Sequence, residues 1–600
     1  MKINYKDRLT TNEKLSKLRD LMKKNNLTAY YINTADPHQS EYIPDHYKIR
    51  SWLTGFTGSA GYAVVTQKDA LLWVDGRYFI QAEQQIAASE FRMMKMATKG
   101  FPTLEEWLLN NLDYGDSLGM NGYLISEGFY RKLKFALSDK KINLQTNHHL
   151  VEDIWVDCPP LPNAPVYIHE LKYTGKSAAR KIQEVRKKMF EDDAEAALYA
   201  GLNDIAWLFN IRGNDVLNTP VSMAFALITI DNAYLYIDQK KVSSDVRKFL
   251  EENEITLKAY NRIYEDLPNL DVRSIVLNQA NINHTLFAQI PASIKIKNKL
   301  DYPYLMKAAL NDVELENQRN SYLKDSVALT KFIYYIKQNV QSEELNELNA
   351  AEKLHNLRTE QDLFIDDSFA TIAAYGPNAA MMHYSATENS YSQIEPKGFL
   401  LVDSGGHYFD GTTDITRTIS CGPLTDEEIK DYTLTLKAHI NLARAKFLYG
   451  ATGYYLDVLA RQPLWQNYMD YKSGTGHAVG YLLGVHEGPQ RFNMNYVNIP
   501  LEHGMVITNE PGVYKENKHG IRIENDYVVL KDKQVDTDLF MKLDCLSFVP
   551  LDKDAIDVNL LENYELEWLN NYQATVYEKI SPHLKRNEKE WLKTETGKLL

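Results

Sequence analysis

The chain has 600 residues, a formal net charge of −13, 44% apolar and 24% charged residues. This is the composition of an ordinary globular protein, but the length exceeds what one hydrophobic core supports, so three or four domains are expected. The acidic balance argues against nucleic acid as a partner. The three cysteines, Cys158, Cys421 and Cys545, are too far apart for a disulfide framework and indicate a reducing compartment. No run approaches the roughly 18 apolar residues of a transmembrane helix. The start, Met1 to Leu9, has no apolar leader core. The expectation is a cytoplasmic protein with no membrane partner.

Leu15, Leu18, Leu21 and Met22 predict an amphipathic helix over Thr11 to Lys24, followed by a strand at Ala29 to Ile32. Trp52-Leu-Thr-Gly-Phe-Thr-Gly-Ser-Ala-Gly61 lacks the spacing of a phosphate loop and reads as turn glycines. It leads to strands at Tyr62 to Thr66 and Leu71 to Asp75, an α/β pattern. Cys158-Pro-Pro-Leu-Pro-Asn-Ala-Pro165 cannot lie inside a regular element and marks a boundary. Beyond it a helix is expected from about Lys176 to Phe190. Trp207-Leu208 again precedes a turn and two strands, Phe225 to Ile230 and Ala233 to Ile237. The chain therefore reads as two related α/β domains in tandem, 1–158 and 159–305. Asn311 with Glu314 resembles a capping box opening a long helix to about Gln338. This helix begins a third domain, 306–545. A polar helical extension, 546–600, carries an expected apolar stripe of Leu560, Tyr564, Leu566, Trp568 and Leu569, to dock on its own domain or on another subunit.

The third domain holds the unusual polar residues. The apolar run Phe399 to Val402 leads into Asp403, a Ser-Gly-Gly turn follows, and Asp414, Thr416 and Thr418 alternate with Ile415, Arg417 and Ile419. Period-two alternation predicts two strands joined by a turn, with Asp403 and Asp414 facing one site. A second hairpin is expected where Glu510 ends Met505 to Ile507 and where Arg522 and Glu524 share one strand face. His477 lies in a loop framed by Gly474, Gly476 and Gly480. His383 follows Met381-Met382, and His486 stands nine residues beyond His477. Four converging carboxylates, Asp403, Asp414, Glu510 and Glu524, repel one another unless divalent cations lie between them. Oxygen ligands with one imidazole favour manganese, cobalt or zinc. Four carboxylates exceed the need of one ion, so two are inferred, about 3.5–4 Å apart, activating a bridging water as nucleophile.

The motifs Leu401-Val-Asp-Ser-Gly405, Asp410-Gly-Thr-Thr-Asp-Ile-Thr-Arg417, Gly474-Thr-Gly-His477, Val485-His-Glu-Gly-Pro489, Asn509-Glu-Pro-Gly512 and Gly520-Ile-Arg-Ile-Glu-Asn525 resemble those of the aminopeptidase P family. Trp52 to Gly61 and Asp75-Gly-Arg-Tyr78 are similar to its long, three-domain branch. The resemblance implies two tandem creatinase-like α/β domains followed by a pita-bread catalytic domain. It implies a dinuclear centre, usually manganese, held by Asp403, Asp414, His477, Glu510 and Glu524. It implies that His383 and His486 steady the scissile carbonyl and the tetrahedral intermediate, that Tyr514 and Arg522 support the site, and that Arg77 approaches the substrate; the mechanism expected here takes Glu510 as the general base. The expected activity is release of the residue preceding a penultimate proline, by a homodimer. Ser473 departs from the family, many members of which have histidine four residues before the ligand histidine. The alternatives are a prolidase restricted to Xaa-Pro dipeptides and a non-catalytic pita-bread binding module.

Overall fold

The computed structural model describes residues 9–600. Met1 to Arg8, on which most of the no-leader reading rests, lies outside the described residues. The chain forms two compact units: residues up to Ile168 with Lys176–Pro303, and His169–Gly175 with Tyr304–Leu600.

The first unit contains two six-stranded sheets of the same design. One is built from Ala29–Asn33, Tyr62–Thr66, Ala70–Val74, Arg92–Lys95, Ser117–Gly119 and Asn143–Gln145. The other uses Ala196–Tyr199, Ala224–Thr229, Ala233–Ile237, Ile255–Ala259, Ser274–Leu277 and Lys295–Asn298. In both, the spatial order is fourth, third, second, first, fifth, sixth. The first three strands pair antiparallel and the remaining neighbours parallel. The repeat read from two Trp-Leu pairs thus extends to whole-sheet topology. Trp52-Leu53 and Trp207-Leu208 each lie at the end of a short helix, Ile49–Thr54 and Leu202–Leu208. The first of these stops at Gly55, which has the left-handed φ of +75° that glycine adopts without strain. The opening helix, Thr11–Lys24, is closed at its start by a Thr10–Glu13 capping box and buries Leu15, Leu18 and Met22.

In the second unit the long helix Asp312–Asn339 is capped by Asn311 and Glu314. Its sheets carry the predicted strands with three corrections. Ser404 to Gly406 is no simple turn. The strand Phe399–Ser404 pairs with Ile415–Ser420, and the chain between them adds two short strands, Gly406–Tyr408 and Gly411–Thr412. The reason is local: Gly405 lies against the Thr413 carbonyl, where an added Cβ would come within 1.8 Å, so the chain folds back on itself. His477 lies on a strand, Gly476–Ala478, rather than in a loop. In the extension, the helix Asn563–Ile580 buries Leu569, Tyr572, Val576 and Ile580, whereas Leu560 and Tyr564 are exposed. The true stripe keeps the 3.6-residue period from Leu569 onward. It packs within its own unit, against Val327, Phe399, Tyr432 and Leu436. Among the described residues no helix is long and apolar enough to cross a membrane.

Beneath the strand carrying Asp403 is a fully buried ion pair. Arg358 Nε donates to Asp325 Oδ1 at 2.6 Å, and its Nη2 donates to Ser404 Oγ at 2.9 Å. Removing the guanidinium strands the Asp325 charge, so Arg358→Met is expected to destabilise this unit by about 3–5 kcal/mol. The added substitution Asp325→Asn should recover part of the loss. Chemical denaturation of the single and double variants checks both.

Candidate metal centre

Three of the acidic side chains reach the site where a strand starts or breaks, and Asp403 reaches it from within a ladder. Asp403 pairs with Thr416 across the Phe399–Ser404 ladder, while its neighbours Leu400 and Val402 point into the apolar core. Asp414 immediately precedes Ile415–Ser420. Gly476 is needed beside His477, since a Cβ there would meet the Thr508 carbonyl at 2.0 Å. The expected second hairpin is interrupted. Val506–Asn509 pairs with Asn525–Val535, and Gly512–Lys515 pairs with His519–Arg522. Glu510 and Glu524 sit in the gap between these ladders. Pro511, which has no N–H to donate, accounts for the break. The gap turns both glutamates towards one site, which a continuous ladder would not do.

The potential ligand atoms of Asp403, Asp414 and Glu524 lie within 4.8 Å of one another, as do those of His477, Glu510 and Glu524, and those of Asp414, His477 and His486. His477 Nε2 is 3.6 Å from Asp414 Oδ2 and 3.5 Å from Glu510 Oε1. Its Nδ1 donates to the Ala478 carbonyl at 2.9 Å, which leaves the Nε2 lone pair of the neutral ring directed at the carboxylates. Asp403 Oδ1 is buried without a hydrogen-bond partner. An orphaned carboxylate oxygen, three further carboxylates and an oriented imidazole fit a pair of divalent ions.

The site is strained electrostatically without them. Burial, then the neighbouring carboxylates, pushes Asp414 and Glu524 well above the usual carboxylate range. Burial pushes Glu510 up to about 7, with Arg522 and His486 opposing the rise and Asp403 adding to it.

Arg522 and Tyr514 belong to the cluster. Arg522 Nη2 donates to Asp403 Oδ2 at 2.5 Å, and its Nη1 donates to the Tyr514 hydroxyl at 2.7 Å. The His486 ring stands nearly perpendicular to His477, with centroids 4.5 Å apart. His383 is not among the residues whose ligand atoms gather here. Arg77 belongs to the other unit, where Nε and Nη2 both donate to Asp75. At Ser473, the family's frequent histidine position, the backbone carbonyl accepts from Arg461 at 2.9 Å.

Three contributors are absent from the sequence reading. The Thr416 hydroxyl donates to Glu524 Oε2 at 2.6 Å. The Thr508 hydroxyl contacts Glu510 Oε1 at 3.3 Å and accepts from the His477 N–H at 3.1 Å. Asp526, fully buried, accepts from the Tyr322 hydroxyl and is raised well above its ordinary range by burial. Continuing the alternation of Arg522 and Glu524 by two residues would have found Asp526; nothing local marks the threonines.

The raised carboxylates set a sign. Protein stripped of metal holds these protons more tightly folded than unfolded, where carboxylates titrate near ~4. Their contribution is therefore complete below that value and is lost as pH rises towards 7. Melting of the metal-free protein should fall between pH 5 and pH 7.5, and added manganese should raise Tm more at pH 7.5 than at pH 5. Equal shifts at both pH values would contradict the neutralisation argument.

Comparison with known proteins bears on identity. Residues 316–531 match metallopeptidase family M24, and 539–599 match the C-terminal region of peptidase M24. Residues 14–154 and 157–314 each match the creatinase/prolidase N-terminal domain. Aminopeptidase P2 of Arabidopsis thaliana is 36% identical, over 99% of this chain and 89% of that protein. A probable Xaa-Pro aminopeptidase P of Talaromyces marneffei is 38% identical, over 98% and 92%. The crystal structure of an X-prolyl aminopeptidase from Caenorhabditis elegans, described as a cytosolic enzyme with a di-nuclear active site, superposes with a TM-score of 0.95 at 33% identity, covering 99% of this chain and all of that one. A Xaa-Pro dipeptidase from Bacillus anthracis shares the fold over 63% of this chain and 99% of its own, at 22% identity and a TM-score of 0.51. Likeness of this extent, end to end and at about a third identity or more, makes the chain a member of the aminopeptidase P (Xaa-Pro aminopeptidase) family of metallopeptidases.

Proposed function

We propose that this chain removes the N-terminal residue from peptides whose second residue is proline, using two divalent ions, manganese first among them, held by Asp403, Asp414, His477, Glu510 and Glu524. The observation that carries the reading is the meeting of these five side chains, from distant segments, in overlapping groups whose ligand atoms lie within 4.8 Å of one another, with a buried Asp403 oxygen that has no hydrogen-bond partner. When bound, such ions polarise a carbonyl and lower the pKa of a water.

The protein's own groups do the rest. Glu510, steadied by Thr508, takes the proton of the attacking water and returns it to the proline nitrogen as that nitrogen leaves. His486, beside His477, donates to the carbonyl oxygen as negative charge develops on it, and His383 assists there. Arg522 fixes one oxygen of Asp403 and so keeps the other in place, with Tyr514 aligning the guanidinium. Arg77, a substrate contact on family resemblance, has its guanidinium held flat by Asp75. A bond to proline is a tertiary amide without an N–H, and peptidases that grip that N–H fail on it. A site that acts through the carbonyl does not depend on that donor.

A cytoplasmic location and a homodimer complete the reading. The extension's apolar face is satisfied within its own unit. The helix Gly453–Trp465 instead exposes Tyr454, Tyr455 and Trp465, near exposed Tyr496, an apolar surface suited to a second copy.

The test is an assay of metal-stripped enzyme with manganese, cobalt or zinc restored in turn. A Xaa-Pro-Xaa tripeptide should be cleaved well and a Xaa-Pro dipeptide poorly. Strong preference for the dipeptide would make the protein a prolidase. Glu510→Gln should fold normally and lose turnover by about 10²–10⁴-fold; near-normal turnover would remove Glu510 from the proton-transfer role.

A further inference from the structure

The extension beyond residue 546 touches the back of the metal centre at two places. The first runs through Arg417, fully buried on the strand Ile415–Ser420. Its Nη1 donates to the Glu524 carbonyl at 2.6 Å and to the Thr416 carbonyl at 2.8 Å. Its Nη2 donates at 2.7 Å to Asn525 Oδ1, at 2.8 Å to the Val549 carbonyl and at 2.8 Å to the Tyr572 hydroxyl. Tyr572 in turn donates to the Val549 carbonyl at 2.8 Å. One guanidinium therefore ties the backbone of Glu524, and of the Thr416 that holds the Glu524 carboxylate, to a hydroxyl on the helix Asn563–Ile580 of the C-terminal extension.

The second place lies behind Glu510. The Trp568 ring stacks on Tyr572, with centroids 5.2 Å apart and an interplanar angle of 4°. It meets His439 edge-on at 6.0 Å. His439, fully buried, has Nδ1 3.1 Å from the Asn509 carbonyl, so this nitrogen carries the proton. Nε2 then accepts from the Tyr527 hydroxyl at 2.9 Å. Asn509 Nδ2 donates back to the His439 carbonyl at 3.0 Å. Asn509 and Asn525 face each other as the last pair of the ladder before the gap, each next to one of the two glutamates.

We infer that Trp568 and Tyr572 are positioning residues for the metal centre: the helix Asn563–Ile580 clamps the broken ladder through Arg417 and His439 and so sets the placement of Glu524 and Glu510. Across the gap the two ladders share one long backbone bond, from the Ile523 N–H to the Pro511 carbonyl at 3.4 Å, while the Glu510 and Glu524 N–H groups donate outside the pair, to the carbonyls of Thr475 at 2.8 Å and Thr416 at 3.2 Å. Groups outside the ligand set that fix ligand orientation are worth about 10–100-fold in metal affinity. The clamp is neutral except for one arginine, and its members are the ring faces and hydroxyl of a single helix turn. The inference rests on the dinuclear reading above.

The experiment is calorimetric titration of manganese into metal-stripped full-length protein, comparing wild type with Tyr572→Phe and Trp568→Phe, alongside Tm of each metal-free form. Tyr572→Phe keeps the ring and removes only the hydroxyl. The expected result is Kd weakened about 10-fold or more in Tyr572→Phe, with the metal-free Tm little changed and turnover restored at saturating manganese. A Kd within twofold of wild type in both variants overturns the inference, and a lower Tm with unchanged Kd does so too by giving the helix a purely structural role. Should one variant fail to fold, the other decides. Wild type that takes up no ion would instead sink the dinuclear reading, and this inference with it.

Discussion

Four carboxylates brought together at the end of a β-ladder repel one another, and most of the catalytic unit can be understood as the scaffold that tolerates this. Asp414 and Glu524 are almost wholly buried, Asp403 and Glu510 partly so, and the guanidinium of Arg522 cannot balance them. In a low-dielectric interior such charges are costly to hold without compensation. Divalent cations supply it, so repulsion among the carboxylates becomes binding energy for such ions. The rise of Asp414, Glu510 and Glu524 above the usual carboxylate range expresses the same constraint.

Holding the candidate ligands apart from one another, yet within 4.8 Å in overlapping groups of three, requires rigid supports, and these are hydrogen-bonded rather than apolar. Thr416 holds Glu524, Thr508 ties Glu510 to the His477 backbone, and Arg522 occupies one Asp403 oxygen so that the other stays open. Each support takes up one lone pair of its carboxylate and leaves the remainder open. Glycine at 476 lets the Thr508 carbonyl approach closely enough for the two strands to share the site. The break at Pro511 gives the glutamates their direction, and the C-terminal helix closes the back of that break through Arg417 and His439.

The tandem sheets of the first unit are a different solution to a different demand. Both repeat the same mixed order, and both cover their faces with helices over Leu-, Ile- and Val-rich strands. Neither gathers a carboxylate cluster of the kind found in the catalytic unit, among the described residues. Family membership explains the combination: the creatinase/prolidase N-terminal domain occurs here twice, ahead of the metallopeptidase region.

Much of this was readable from residue order alone, because helices and strands follow from local spacing. The Leu15, Leu18 and Met22 stripe, the Asn311–Glu314 cap, the runs at Tyr62, Ala233 and Phe399, and the acidic and histidine ligand candidates all declare themselves within a few residues. Contacts between distant segments do not. Thr416 and Thr508 look like any strand threonine until register sets them against Glu524 and Glu510. The single hairpin expected from Glu510 to Glu524 is in fact two ladders with a gap, and the stripe of the helix Asn563–Ile580 begins at Leu569 rather than Leu560. Local periodicity settles which face a residue takes; which other residue it finds there depends on pairings up to hundreds of positions apart, and only the folded chain decides those.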